Sequence, residues 1–204
     1  MYPKTIQKVI DFFAQFPGIG AKTAARFAFF LLKKSEKEIK DFAQSILELK
    51  TKVKICHFCF KPFEGEEKLC EICKNPARNT SLVCVIEKEQ DLETIETAKV
   101  YNGLYFILGG PISKIKKQDL QKLRIKELLE RVKNPEKFGI FGKIEEIILA
   151  TNATIEGEAL SLFLEKKLKE TGKKITKLGR GIPIGGEIEY ADEATLSAAF
   201  EKRS

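Results

Sequence analysis

The sequence predicts an α/β chain assembled from unlike segments: a helical N-terminal hairpin, a four-cysteine metal element, a mainly parallel sheet flanked by helices, and a C-terminal tail ending in a helix. Three observations predict it. Apolar residues recur at helical spacing through the first 55 residues. Four of the five cysteines fall in two closely spaced pairs between residues 56 and 79. From about residue 80, short apolar runs alternate with charged, helix-like stretches, the pattern of a parallel sheet covered on both faces. The expected organisation is therefore 1–55, 56–79, 80–178 and 179–204.

Ile6, Val9, Ile10 and Phe13 lie at i, i+3, i+4 and i+7, the stripe of a short amphipathic helix. Phe16, Pro17, Gly18, Ile19 and Gly20 interrupt it. A second helix is expected from Ala21, with Ala24, Phe27, Ala28 and Leu31 on one face. Ser35 and Glu38 have the spacing of a capping box that opens a third helix. Its stripe is Ile39, Phe42, Ala43, Ile46, Leu49 and Val53, so the first 55 residues read as all-helical.

Residues 81–86 form an apolar run ending in Glu87, which reads as a buried strand. Further strands are expected over 104–108, 144–150 and 174–178. Helices are expected over 90–98, 118–133, 158–170 and near 192–202.

Net charge is +7, but it is uneven. Residues 1–55 hold eleven Lys/Arg against five Asp/Glu, whereas residues 56–204 hold twenty-five against twenty-four. Such a basic segment either attracts phosphate backbones or is a lysine-rich surface kept for solubility. No apolar run is long enough to span a bilayer and no secretory signal pattern opens the chain, so a cytoplasmic protein without a membrane role is expected. An odd number of cysteines without disulfide-framework spacing agrees with a reducing compartment.

Cys56 and Cys59 are separated by two residues, as are Cys70 and Cys73. Each pair can offer two thiolates to one ion, and two pairs complete a closed tetrahedral sulfur site suited to Zn²⁺. Four cysteines leave no open position for water, so the expected zinc is structural rather than catalytic. The intervening loop has few apolar residues, and the metal is expected to order it. His57, inside the first pair, is expected to be exposed or capping, and Cys84 to be a small core residue.

Between the first two helices, Gly18 and Gly20 allow a tight turn and close approach of another surface. The free amides at the start of the second helix point at that turn, with Lys22 and Arg26 beside them, which suits phosphate. The plain alternative is an ordinary turn between helices. Phe29 and Phe30 lie off the core-facing stripe and point to burial against a second subunit. At the other end of the chain, the carboxyl ends of parallel strands share a rim, where Glu87 can approach Glu156 and Glu158. Three converging carboxylates could hold Mg²⁺; solvated loop glutamates at a helix start are the plain alternative.

In this order the pieces resemble one family, the bacterial RecR recombination mediators, over nearly the whole chain. Residues 16–27, from Phe16-Pro17-Gly18-Ile19-Gly20 to Phe27, resemble its helix-hairpin-helix. The four paired cysteines match its zinc element. Val85, Ile86 and Glu87, with residues 150–159, are similar to its Toprim signatures, and residues 179–192 are similar to its C-terminal segment. The resemblance implies a non-catalytic, homo-oligomeric DNA clamp, a dimer or tetrameric ring, in the bacterial cytoplasm at the nucleoid. It would work with RecO and in many bacteria RecF to load recombinase at gapped DNA. One segment departs from the family pattern: Ser113, Lys114, Ile115, Lys116 and Lys117 stand where a longer glycine- and proline-containing loop is usual. Two rival readings are a Mg²⁺-dependent Toprim nuclease and a zinc-containing protein-interaction adaptor. A topoisomerase is disfavoured because Tyr2, Tyr101, Tyr105 and Tyr190 lack the separate domain that would hold a tyrosine nucleophile.

Overall fold

Apolar spacing in the first residues produces the expected hairpin. The computed structural model describes residues 2–110, 120–179, 181–182 and 184–201, and divides the chain into two compact units, Met1–Val53 and Lys54–Ser204. The lysine-rich stretch 113–117 lies outside the described residues, as does the start of the helix expected over 118–133.

In the first unit, α1 (Lys4–Ala14) and α2 (Ala21–Leu32) pack on each other. Their core is small: Ile10, Ala24 and Ala28 are buried, with Ile6, Val9, Phe13 and Ile19 against them. Helix α3 (Glu36–Thr51) is opened by the expected capping box. The Ser35 hydroxyl accepts from the Glu38 amide, and the Glu38 carboxylate accepts from the Ser35 amide. Its apolar stripe does not find a core, however. No residue of α3 is buried, and Phe42, Ile46 and Leu49 are exposed. Phe27, expected on the core face, is also exposed, its ring packing edge-on to Phe13. Periodicity marks which face is apolar, not whether the same chain covers it.

The second unit begins with a two-stranded sheet of β1 (Val53–Ile55) and β2 (Pro62–Glu64). This corrects the all-helical expectation for residues 1–55, since the helix stops at Thr51 and β-branched Val53 and Ile55 enter a strand. The main sheet is parallel, in the order β4-β3-β5-β6, formed by β3 (Asn79–Ile86), β4 (Gly103–Ile107), β5 (Glu146–Ala150) and β6 (Lys174–Lys177). Helices α4 (Glu89–Ala98), α5 (Ile125–Lys133) and α6 (Ile155–Leu168) accompany it, and α7 (Glu193–Glu201) closes the chain. Within the helix expected over 118–133 the chain is broken at 121–124 before α5, and α6 starts earlier than expected, at the Thr154 cap, whose hydroxyl accepts from the Gly157 amide at 3.1 Å. The chain passes from β3 to β4 on one side and returns to β5 on the other, so the switch point of the topology lies between β3 and β5, at Glu87.

Both sheet edges are protected, by different means. Strand β6 carries Lys174 and Lys177, which discourage edge pairing. Strand β4 is an edge strand, yet all five of its residues are buried. Its outer side meets the cysteine element: the Ile107 amide donates to the Cys59 carbonyl at 3.0 Å. Phe58, Phe63 and Ile72 from that element join the main core around Phe106, Leu128 and Ile147. Residues 56–79 thus contribute more apolar packing than their lack of periodicity suggested.

Gly157 shows where the second unit admits no side chain. A Cβ there would lie 2.1 Å from the Asn152 carbonyl oxygen, a backbone atom that cannot yield cheaply. Gly157→Ala is expected to destabilise the protein by about 1–3 kcal/mol, measured as a lowered urea midpoint.

Candidate metal centre, hairpin and sheet rim

Each cysteine pair sits on a tight turn. The Phe60 amide donates to the Cys56 carbonyl and the Lys74 amide to the Cys70 carbonyl, both at 3.1 Å. Phe60 takes φ +67°, a left-handed conformation that costs a non-glycine residue about 1 kcal/mol or more and turns the chain back after Cys59. The four thiols, all buried, come together so that every sulfur lies within 4.8 Å of the others, with Cys59 Sγ and Cys70 Sγ 3.6 Å apart. A tetrahedral zinc site with bonds of about 2.3 Å requires sulfurs roughly 3.8 Å apart. No disulfide joins them. The Lys61 amide points at Cys59 Sγ and the Cys70 amide at Cys56 Sγ, both at 3.4 Å, the usual support for thiolate ligands. Crowding also splits the thiols' acidities. Hydrogen bonds from Cys59, Cys70 and Cys73 hold the Cys56 thiol far below the ordinary thiol range, while hydrogen bonding to Cys56, Cys59 and Cys70, with burial, pushes Cys73 well up. A dication relieves this conflict by favouring all four thiolates. Donor set, spacing and burial therefore fit zinc.

His57 is exposed, its ring packed against Phe138, and takes no part in the sulfur cluster. Cys84 is buried in β3, and desolvation pushes its thiol up to about 12, which leaves it inert as expected of a core residue.

At the hairpin, Gly18 has φ +77°, and Gly20 caps α2 with an extended backbone. The Ile19 amide donates to the Phe16 carbonyl at 3.0 Å and closes the turn. A Cβ at Gly20 would meet nothing within 4 Å. The fold itself therefore imposes no need for glycine there. Lys22 and Arg26 are exposed on the first turns of α2 and form no ion pair among the described residues. They line, with Phe27, Phe29 and Phe30, a shallow apolar and basic groove of about 1090 Å³.

At the sheet rim the structure differs from the expected carboxylate cluster. Glu87 is 2% exposed. Its Oε1 accepts from the Asn152 amide at 2.7 Å, and its carbonyl accepts from the Gly109 and Gly110 amides at 3.1 and 2.7 Å. It ties the ends of β3, β4 and β5 together. Glu158 turns instead to Lys177 of β6, 3.3 Å away. Among the described residues the four cysteines alone form a metal-holding group, and Glu87, Glu156 and Glu158 are not brought to a common ion, so Mg²⁺ finds no support here. Glu156 and Glu158 are two residues apart on a helix and so diverge, and one Glu87 oxygen accepts from a backbone amide. Two partners escaped sequence reasoning. The Asn152 amide has no side-chain signature. Arg131 is buried on α5, three residues beyond Leu128 on the same helical face, a spacing the sequence shows but its charge disguises.

Freshly purified protein is expected to hold one zinc per chain by metal analysis. Cys59→Ala is expected to lower folded yield sharply, since structural zinc contributes on the order of 10 kcal/mol of apparent binding energy to folding. A metal-free native protein would contradict the site.

The same segments are those matched by family models. A model described as "RecR, helix-hairpin-helix" matches residues 6–50, the "Toprim domain" model matches residues 81–179, and "RecR, C-terminal" matches residues 181–204. The chain is 43% identical over 202 residues to Recombination protein RecR of Moorella thermoacetica, spanning 99% of this chain and 97% of that protein. With a two-unit α/β fold, a hairpin, a four-cysteine cluster and matches of this extent, the chain belongs to the RecR family of recombination proteins.

Proposed function

We propose that the protein is a non-catalytic, sequence-independent DNA clamp of recombinational repair, binding the phosphate backbone through Gly18, Gly20, Lys22 and Arg26. The observation that carries this reading is the hairpin. Gly20, which packing does not require to be glycine, caps the open amide end of a twelve-residue helix, beside two exposed cations without carboxylate partners among the described residues. Backbone amides and cations of this kind hold phosphate without reading bases. Family membership supports a role in recombination, and the family's RecO- and RecF-type proteins are the proposed partners at gapped DNA. Self-association into a dimer or tetrameric ring is supported by the exposed Phe29, Phe30, Phe42 and Ile46 in a unit whose own core is three buried residues. No helix among the described residues is long and apolar enough to cross a membrane.

The clamp reading is favoured over a nuclease because Glu87, Glu156 and Glu158 are not gathered around one point among the described residues. It is favoured over a pure adaptor by the unpaired basic hairpin. Incubation of pure protein with Mg²⁺ and labelled gapped DNA separates the three: a retained shift without cleavage is expected, cleavage indicates the nuclease, and neither indicates the adaptor.

Lys22→Ala and Arg26→Ala are each expected to weaken binding equally for any sequence and to reduce the salt slope by about one per lost phosphate contact. Gly20→Ala is expected to cost no more than about 1 kcal/mol of stability while weakening DNA binding several-fold, because the added methyl group stands where the phosphate approaches. Wild-type affinity and salt slope in the Lys22→Ala/Arg26→Ala protein would place the DNA elsewhere.

A further inference from the structure

A zinc ion with four thiolates carries a net charge of −2, and here it would sit in a buried site. Such a charge is costly to bury unless cations or hydrogen-bond donors answer it. Two backbone amides point at the sulfurs. Of the nearby cations, Lys61 is already engaged by Glu71 at 2.8 Å and Glu93 at 3.7 Å, which hold its ammonium in the charged form against burial.

Arg131 differs. It is 6% exposed and has no carboxylate partner among the described residues. Its Nε donates to the carbonyl of His57, the residue after the first cysteine, at 3.1 Å, and a terminal nitrogen donates to the Glu127 carbonyl at 3.2 Å. The guanidinium lies over the rings of Phe60 and Phe138, 4.4 and 4.2 Å from their centroids. Phe60, the left-handed residue after Cys59, also carries Arg124 at 4.5 Å, and Arg124 donates to the Ile107 carbonyl at 3.1 Å. Burial lowers the Arg131 pKa from the usual arginine range, and the Glu130 and Glu127 carboxylates and the Cys56 thiolate oppose that shift. A guanidinium stays charged even so. Glu127 and Glu130 attract this buried cation without forming an ion pair with it, and the cysteine cluster is the further anion, in the same knuckle to whose backbone the guanidinium is bonded.

We propose that Arg131 is the outer counter-charge of the zinc centre: a positioning residue that neutralises the tetrathiolate and locks the first knuckle to α5 through His57 and Phe60. Metal occupancy and closure of the cysteine element on the sheet are then one event. Outer partners of metal ligands typically contribute 10–100-fold to metal affinity.

The test uses the full chain loaded with Zn²⁺ or Co²⁺. Arg131→Met keeps the bulk and removes the charge. It is expected to lose zinc to a competing chromophoric chelator with at least 10-fold weaker affinity. Its sulfur-to-cobalt charge-transfer band is expected to move to lower energy, because thiolates without a nearby cation give up electrons more readily. Loosened packing alone would not move that band in this direction. Arg131→Lys keeps the charge and loses the fork to two carbonyls, so it is expected to hold the wild-type band energy with weakened zinc competition. Wild-type chelator competition and band energy in Arg131→Met would overturn the proposal. If Arg131→Met does not fold, a band shifted to lower energy in Arg131→Lys would overturn it instead.

Discussion

The second unit depends on four thiols being held together at the edge of a sheet. Strand β4 has a neighbour on one side only, and its other side would offer unpaired amides and carbonyls to any passing strand. The cysteine element closes that side, with the Cys59 carbonyl on the Ile107 amide and the Phe60 ring edge-on to Phe106. Four crowded thiols cannot all ionise unaided: hydrogen bonds from its neighbours favour the thiolate of Cys56, while Cys73 is pushed well up. A zinc ion would favour all four thiolates at once. A metal held there would stabilise more than a 24-residue loop, since Phe58, Phe63 and Ile72 of the same element belong to the core shared with α5 and the sheet.

The first unit follows the opposite logic. Its hairpin buries little, and its aromatic residues stay at the surface. What it presents is a turn whose backbone is accessible. Gly157 and Gly20 show the contrast. The first is glycine because the Asn152 carbonyl leaves no room, the second faces open space. Such a glycine is not required by internal packing, and the proposed phosphate contact would use the open amides beside Lys22 and Arg26.

Much of this was legible in the sequence. Paired cysteines specify a metal site by spacing alone, and runs such as residues 81–86 announce parallel strands because both faces are buried. The capping box at Ser35 was readable because it is local. What the sequence could not show were long-range partners. The stripe of α3 looked like a core face, and the fold leaves it uncovered. Glu87 was a possible metal ligand with Glu156 and Glu158, and the fold does not gather the three, while a backbone amide 65 residues away along the chain bonds to one Glu87 oxygen. Arg131 drew no reading, since its charge hides the buried position that its spacing from Leu128 gives it. The β1–β2 ribbon escaped notice because strands of three residues have too short a period to detect.

The claim that the cysteine cluster seals the β4 edge is open to direct measurement by amide hydrogen exchange, comparing zinc-loaded protein with protein stripped by a strong chelator. The amide of Ile107 is the reporter, since it bonds to Cys59 rather than to the sheet. Loss of zinc is expected to collapse its protection, and that of the β4 edge, while the β3–β5 ladder remains protected. Equal protection of Ile107 with and without metal would show that β4 is held by packing alone, and would contradict the account.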